Sequence, residues 1–249
     1  MLFFSSLGYA QNQSFCRAKS DGKKIQQFLA HPSNQLPFKN QGGIGNGGVC
    51  WWYSRFIRNT AYLAHFRPEL PRPNLAEAYR IIEAIRRGQV VVTVPGYFNL
   101  QEFSNDYGQL ILETLERWQL SDGLIRQNWV IGLAGSFEVH PDRLRFLMDS
   151  LYSEVNDNKD VVYQKLQFQG IDAHAWLVVG MKQLHDGYRL EVLDSNFPGQ
   201  VHYYVYRHGM THFVYREGNT KFVPYIGQAK ELGRIKNVLA SSCRAVSER

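Results

Sequence analysis

Gly48-Val49-Cys50-Trp51-Trp52-Tyr53-Ser54 sets a cysteine at the head of an aromatic-rich run. Its apolar positions Val49, Trp52, Phe56 and Leu63 approximate one face of a helix, and Pro68 supplies a stop. A thiol at a helix N-terminus meets the positive end of the macrodipole and unpaired backbone N–H groups. Both favour the thiolate, which is the nucleophilic form. Residues 41–48, just upstream, are glycine-rich and must form a loop. Far downstream stand His174-Ala175-Trp176-Leu177-Val178-Val179-Gly180 and Asp194-Ser195-Asn196. A nucleophile, a base and an orienting carboxylate therefore follow one another as Cys50, His174 and Asp194.

Outward from the cysteine, the first half of the chain reads as helices. Ser20-Asp21 caps a helix through Lys23, Ile25, Phe28 and Leu29 that ends at Pro32. Asn74 caps another through Leu75, Ala78, Ile81, Ile82 and Ile85, with Gly88 as its stop. Val90 to Val94 is a buried strand candidate, and helices are expected near 106–120 and 141–153. Beyond residue 160 the pattern changes to strands: Val161 to Gln169, Ala175 to Lys182, Tyr188 to Leu193 and Val201 to Tyr206. His185-Asp186-Gly187 supplies a hairpin turn, and His208-Gly209 is expected to supply another. A last helix spans Gln228 to Leu239. Helices first and strands second is an α+β pattern. With no repeat and no low-complexity linker, residues 11–249 are expected to form a single domain.

His174 opens one strand of the expected hairpin and Asp194 closes the next, so in an antiparallel pair the two lie near each other. A plain two-residue turn puts them several residues out of register. A longer loop or a bulge must absorb the difference.

Together with Lys39-Asn40-Gln41-Gly42, these stretches resemble the signatures of the papain-like cysteine proteases. That family carries K-N-Q-G, then G-x-C-W-x-[aromatic]-S, then H-A-x-x-x-V-G, then N-S-W-G. The first three are present with few changes, and Asp194-Ser195-Asn196-Phe197 stands in place of the fourth. The resemblance implies a two-lobed fold, with Cys50 on a helical lobe and His174 and Asp194 on an antiparallel β lobe. It also implies hydrolysis of protein or peptide substrates through an acyl-enzyme. Gln41 would then donate to the oxyanion beside the Cys50 N–H. Gln41 lies nine residues before Cys50 rather than the family's six, and Asn46 is a competing donor. Phe197 and Trp176 are candidates to replace the tryptophan that shields the family's histidine.

Two other functions use the same residues. A transglutaminase-like acyl transferase or deamidase also orders its triad Cys, His, Asp, though usually with a much shorter separation than the 124 residues between Cys50 and His174. A non-catalytic binding module on a peptidase-like scaffold would leave Cys50 as a core cysteine, His174 as a strand histidine and Asp194 as a turn residue.

The remaining signals are narrower. Charged residues make up 20% of the chain and the net charge is +6, but lysines and arginines are scattered in short pairs such as Lys23-Lys24 and Arg86-Arg87. No basic block interleaved with aromatics argues for nucleic acid, and no apolar run approaches the ~20 residues of a membrane helix. Gly43-Ile44-Gly45-Asn46-Gly47-Gly48 satisfies G-x-G-x-x-G but follows no apolar strand, so no dinucleotide is expected. His202, His208 and His212 fit no standard zinc spacing. No metal or organic cofactor is implied. Residues 1–10 fit either the tail of a signal peptide or a hydrophobic N-terminal strand; the first would mean export to the periplasm or beyond the cell. Cys16 and Cys243 would then form a disulfide joining the two ends, and otherwise remain two thiols.

Overall fold

A computed structural model describes residues 12–44, 47–125, 137–168, 173–216, 220–225 and 229–247. Helix α1 covers 12–19 and is followed by α2 (Gly22–Ala30) and α3 (Cys50–Leu63). A two-stranded parallel pair, β1 (Ala64–Arg67) and β2 (Val92–Pro95), brackets α4 (Leu75–Arg87). Helices α5 (Leu100–Gln119) and α6 (Pro141–Tyr152) come next. Six antiparallel strands follow: β3 (Val162–Phe168), β4 (Ala173–Leu184), β5 (Gly187–Asp194), β6 (His202–Arg207), β7 (Phe213–Val214) and β8 (Lys221–Tyr225). Helix α7 (Ala229–Ser247) closes the described chain, and the class is α+β.

The strand order is β6-β5-β4-β3-β8-β7, so β6 and β7 are opposite edges, yet only residues 208–212 separate them in sequence. A link that short reaches at most about 21 Å. The edges of a flat six-stranded sheet would lie about 24 Å apart. The sheet must therefore curl, and the rings of Tyr206 and Phe213 from its two edges come to 6.4 Å between centroids. Leu166, Trp176, Val178, Leu190, Val192 and Tyr204 fill the inside of the curl with Leu144, Leu147, Met148 and Leu151 of α6. The other face, with Tyr163, Ala175, Leu177, Val179 and Leu193, packs on the core of α2, α3, α4, α5 and α7.

Helix α3 is the hub of that second core: every residue of it except Arg55 is buried. A four-residue apolar stripe understates this, because the helix is enclosed on all sides and its polar residues must find partners inside. Ser54 Oγ donates to Ala175 O at 3.3 Å, and Asn59 Nδ2 to Ile85 O at 3.0 Å. The Arg58 guanidinium, 1% exposed, donates to Glu231 of α7 at 2.5 Å, and Arg55 grips the same carboxylate at 2.6 Å and Asp122 at 2.7 Å. Burial alone would raise the Glu231 pKa, but the two guanidiniums overcome it and pull it down to about 2. The α7 helix is further tied to α1 by a disulfide between Cys16 and Cys243.

Several boundaries differ from the sequence reading, each for a local reason. Helix α5 begins at Leu100, earlier than expected, because the Asn99 side chain caps it by accepting from the Glu102 N–H. Helix α3 stops at Leu63 instead of running to Pro68, and Ala64–Arg67 turns into β1. Its partner β2 starts at Val92, so Val90 is an exposed loop residue and not part of a buried strand. The turn at His208-Gly209 forms but makes no hairpin, since β7 pairs with β8 across the curl. Helix α7 runs on past Leu239, through Cys243. The expectations for residues 1–10 and for Asn46 lie outside the described residues.

Candidate active site

Cys50 is the first residue of α3, 6% exposed, and is a free thiol. The glycine loop that delivers the chain to it is clamped by the end of α5. Glu116 Oε1 accepts from the Gly43 N–H at 2.9 Å, Gln119 Oε1 from the Ile44 N–H at 2.8 Å, and Gln119 Nε2 donates to Gly48 O at 3.0 Å. Gly43 has φ +74° and a Cβ there would sit 2.3 Å from Gln119 Oε1, so the close approach of α5 requires glycine. Neither Glu116 nor Gln119 belongs to any of the motifs above.

The first turn of α3 abuts the start of β4. Trp51 Nε1 donates to His174 O at 3.2 Å, one residue before the Ala175 carbonyl held by Ser54. His174 and Asp194 meet because of a bulge. The loop from β4 to β5 has two residues, with Leu184 opposite Gly187, and this straight register would set Asp194 opposite Leu177, on the wrong face of the sheet. The register shifts by one between Val178 and Gly180, so Asp194 instead lies opposite Trp176, on the same face as His174 and diagonal to it. The remaining offset is spanned by the side chains, with His174 Nε2 2.7 Å from Asp194 Oδ1.

With Nε2 committed to Asp194, the other ring nitrogen, Nδ1, remains for Cys50, the second group that favours the charged ring. Burial works against the charged imidazole. The hydrogen-bonded Asp194 carboxylate, and after it the Cys50 sulfur, outweigh it and raise the His174 pKa well above the usual histidine value. Asp194 is 3% exposed, and burial pushes its carboxyl up; the His174 charge and three hydrogen bonds hold it below the usual carboxylate range. Those bonds come from His174 Nε2, the Asn196 N–H at 2.9 Å and the Tyr215 hydroxyl at 2.6 Å. Asp194 thus strengthens the proton affinity of the His174 ring, whose open side faces the Cys50 sulfur.

Tyr215 was not legible as a site residue. It follows β7, has no motif around it, and reaches Asp194 only because the sheet curls. Its ring also meets the His174 ring edge-on at 5.9 Å, the position for which Phe197 and Trp176 were the expected candidates. Trp176 is instead fully buried inside the curl, donating to Gln164 at 2.9 Å, and Phe197 packs on His202 at 5.0 Å. Gln41 is exposed, and no hydrogen bond among the described residues ties it to the triad. Among the described residues no group of three or more His, Cys, Asp or Glu side chains could hold a metal ion, and no helix is long and apolar enough to cross a membrane.

Family models, curated proteins and solved structures, each compared with this chain, give no match.

Proposed function

We propose that this chain is a cysteine peptidase that hydrolyses peptide bonds through a covalent acyl-enzyme, on a papain-like two-lobed plan. The observation that carries the reading is the placement of His174 between the Cys50 thiol and the buried Asp194 carboxylate. Cys50 Sγ gives its proton to His174 Nδ1, and the thiolate attacks the carbonyl carbon of the scissile bond. The developing oxyanion is met by the Cys50 N–H, which the start of a helix leaves without an intrahelical partner. Gln41, exposed in the loop before α3, is the second donor that the resemblance implies. His174 returns the proton to the departing amine. Water then gives a proton to His174, attacks the thioester and releases the acid. Asp194 fixes the Nε2–H tautomer and stabilises the imidazolium throughout. The disulfide between Cys16 and Cys243 supports an exported protein, since such bonds persist in oxidising compartments.

The test is a peptide library incubated with wild type and Cys50→Ala and read by mass spectrometry. New free C-termini that depend on Cys50 are expected. Products bearing an added amine or a deamidated glutamine would replace hydrolysis by acyl transfer or deamidation. No Cys50-dependent product of any kind would leave a binding module.

A further inference from the structure

The Asn40 side chain touches both halves of the triad's support. Its Oδ1 accepts from the Val49 N–H at 2.5 Å, at the N-cap of α3 and next to Cys50. Its Nδ2 donates to Asn196 Oδ1 at 3.2 Å, and its own N–H donates to Ser195 O at 2.8 Å. Asn196 in turn donates its N–H to Asp194 Oδ1 at 2.9 Å and its amide to the Tyr215 hydroxyl at 3.0 Å, which itself donates to Asp194 Oδ2. An unbroken run of hydrogen bonds thus leads from the cap of the nucleophile's helix to the carboxylate that orients the base.

The bridge needs this residue type. It requires an acceptor for Val49 and a donor for Asn196 on one short side chain; aspartate lacks the donor, and serine is too short to span the two. The surroundings are shaped to admit it. At Gly48, with φ +83°, a Cβ would lie 2.4 to 2.7 Å from the Asn40 amide. The segment carrying Asn40 is anchored from behind, where the Tyr53 hydroxyl of α3 meets Leu36 O at 3.0 Å and Phe38 O at 2.9 Å.

We infer that Asn40 is a positioning residue that holds the Cys50 end of α3 and the Asp194 end of β5 in one fixed relation, so that sulfur and imidazole stay in reach of each other. It acts through Val49 and Asn196 and touches no substrate. This inference rests on the triad reading above. A displacement of about 1 Å between reacting groups costs on the order of 10²-fold, and Asn40 is where that displacement is prevented.

The experiment is iodoacetamide labelling of Cys50, followed by mass mapping from about pH 4 to about pH 9, with urea unfolding midpoints measured in parallel. Full-length wild type, His174→Ala, Asn40→Ala, Asn40→Asp and Asn196→Ala are compared. Wild type is expected to label at low pH through an arm that His174→Ala removes. Asn40→Ala and Asn196→Ala should slow that low-pH labelling by about 10- to 100-fold. Asn40→Asp, which keeps the bond to Val49 and loses the bridge, should fall between them and wild type. Low-pH profiles superimposable on wild type overturn the inference, with or without a lower unfolding midpoint, because a merely structural residue would move only the midpoint. Should Asn40→Ala fail to fold, Asn196→Ala decides, since it leaves the bond between Asn40 and Val49 in place. Absence of the His174-dependent arm in wild type itself would instead overturn the triad reading, a result visible before any Asn40 variant is made.

Discussion

Tyr215→Phe removes one oxygen from a site where that oxygen has two partners. The hydroxyl donates to Asp194 Oδ2 at 2.6 Å and accepts from Asn196 Nδ2 at 3.0 Å, and both Tyr215 and Asp194 are buried. Phenylalanine keeps the ring against His174 and the packing inside the curl, so the change isolates the hydrogen bond. A bond to a buried charge contributes about 1.5–3 kcal/mol. For a chain of this length each kcal/mol moves the Tm by about 2–4 °C, so a fall of about 3–12 °C is expected near neutral pH. The pH dependence follows from the depressed Asp194 pKa. Stabilisation from a depressed carboxylate is fully present above its unfolded value of about 3.9 and is lost as pH falls through the folded value. Loss of the Tyr215 hydroxyl lets the folded value rise, so the acid loss begins at the same unfolded value in both proteins but is complete at a higher pH in the variant, and the gap between the two narrows on further acidification. The assay is thermal unfolding by circular dichroism across the acid range, paired with peptidase activity. Equal Tm values at neutral pH would refute the energetic argument. A Tm loss that stays constant down to full protonation would show that the hydroxyl acts by packing and not through the Asp194 charge.

Other perturbations test the frame around the site. Glu231→Gln should destabilise by about 3 kcal/mol or more, because Arg58 loses its partner while remaining buried. The Glu231 pKa falls from its ordinary 4.5 to about 2, so this stabilisation is present above the first value and lost as pH drops through the second; urea unfolding midpoints that differ as much at the acid end as at neutrality would contradict it. Cys16→Ser should lower the urea midpoint by the equivalent of about 2–5 kcal/mol, given a loop closed between residues 227 apart. Dithiothreitol should bring wild type down to the variant, and a wild type indifferent to reductant would remove the disulfide from the stability account. Gln41→Ala should reduce kcat by about 10²-fold or more with KM little changed; a loss confined to KM would make Gln41 a substrate contact and not an oxyanion donor.

Local chemistry carried much of this protein. Asp21, Asn74 and Gly88 are short-range caps that act on the backbone within a few residues, and the structure places all three as their letters imply. Cys50 at a helix start, His174 in the first residues of a strand and Asp194 at the end of the next are likewise set by patterns a few residues long. What those patterns could not contain is register and curvature. The bulge between Val178 and Gly180 decides which face Asp194 occupies, yet valines and a glycine fit a straight strand as well as a bulged one; packing on both faces of the sheet makes the choice. Tyr215 joins the site because a short link forces the sheet edges together, and Gln119 and Glu116 join it because α5 packs beside α3. Local patterns in the chain were enough to set Cys50, His174 and Asp194 at the ends of their elements. Which neighbours hold them came from the three-dimensional packing, because those contacts bridge residues far apart in the chain, and their geometry is settled by the packing of whole elements.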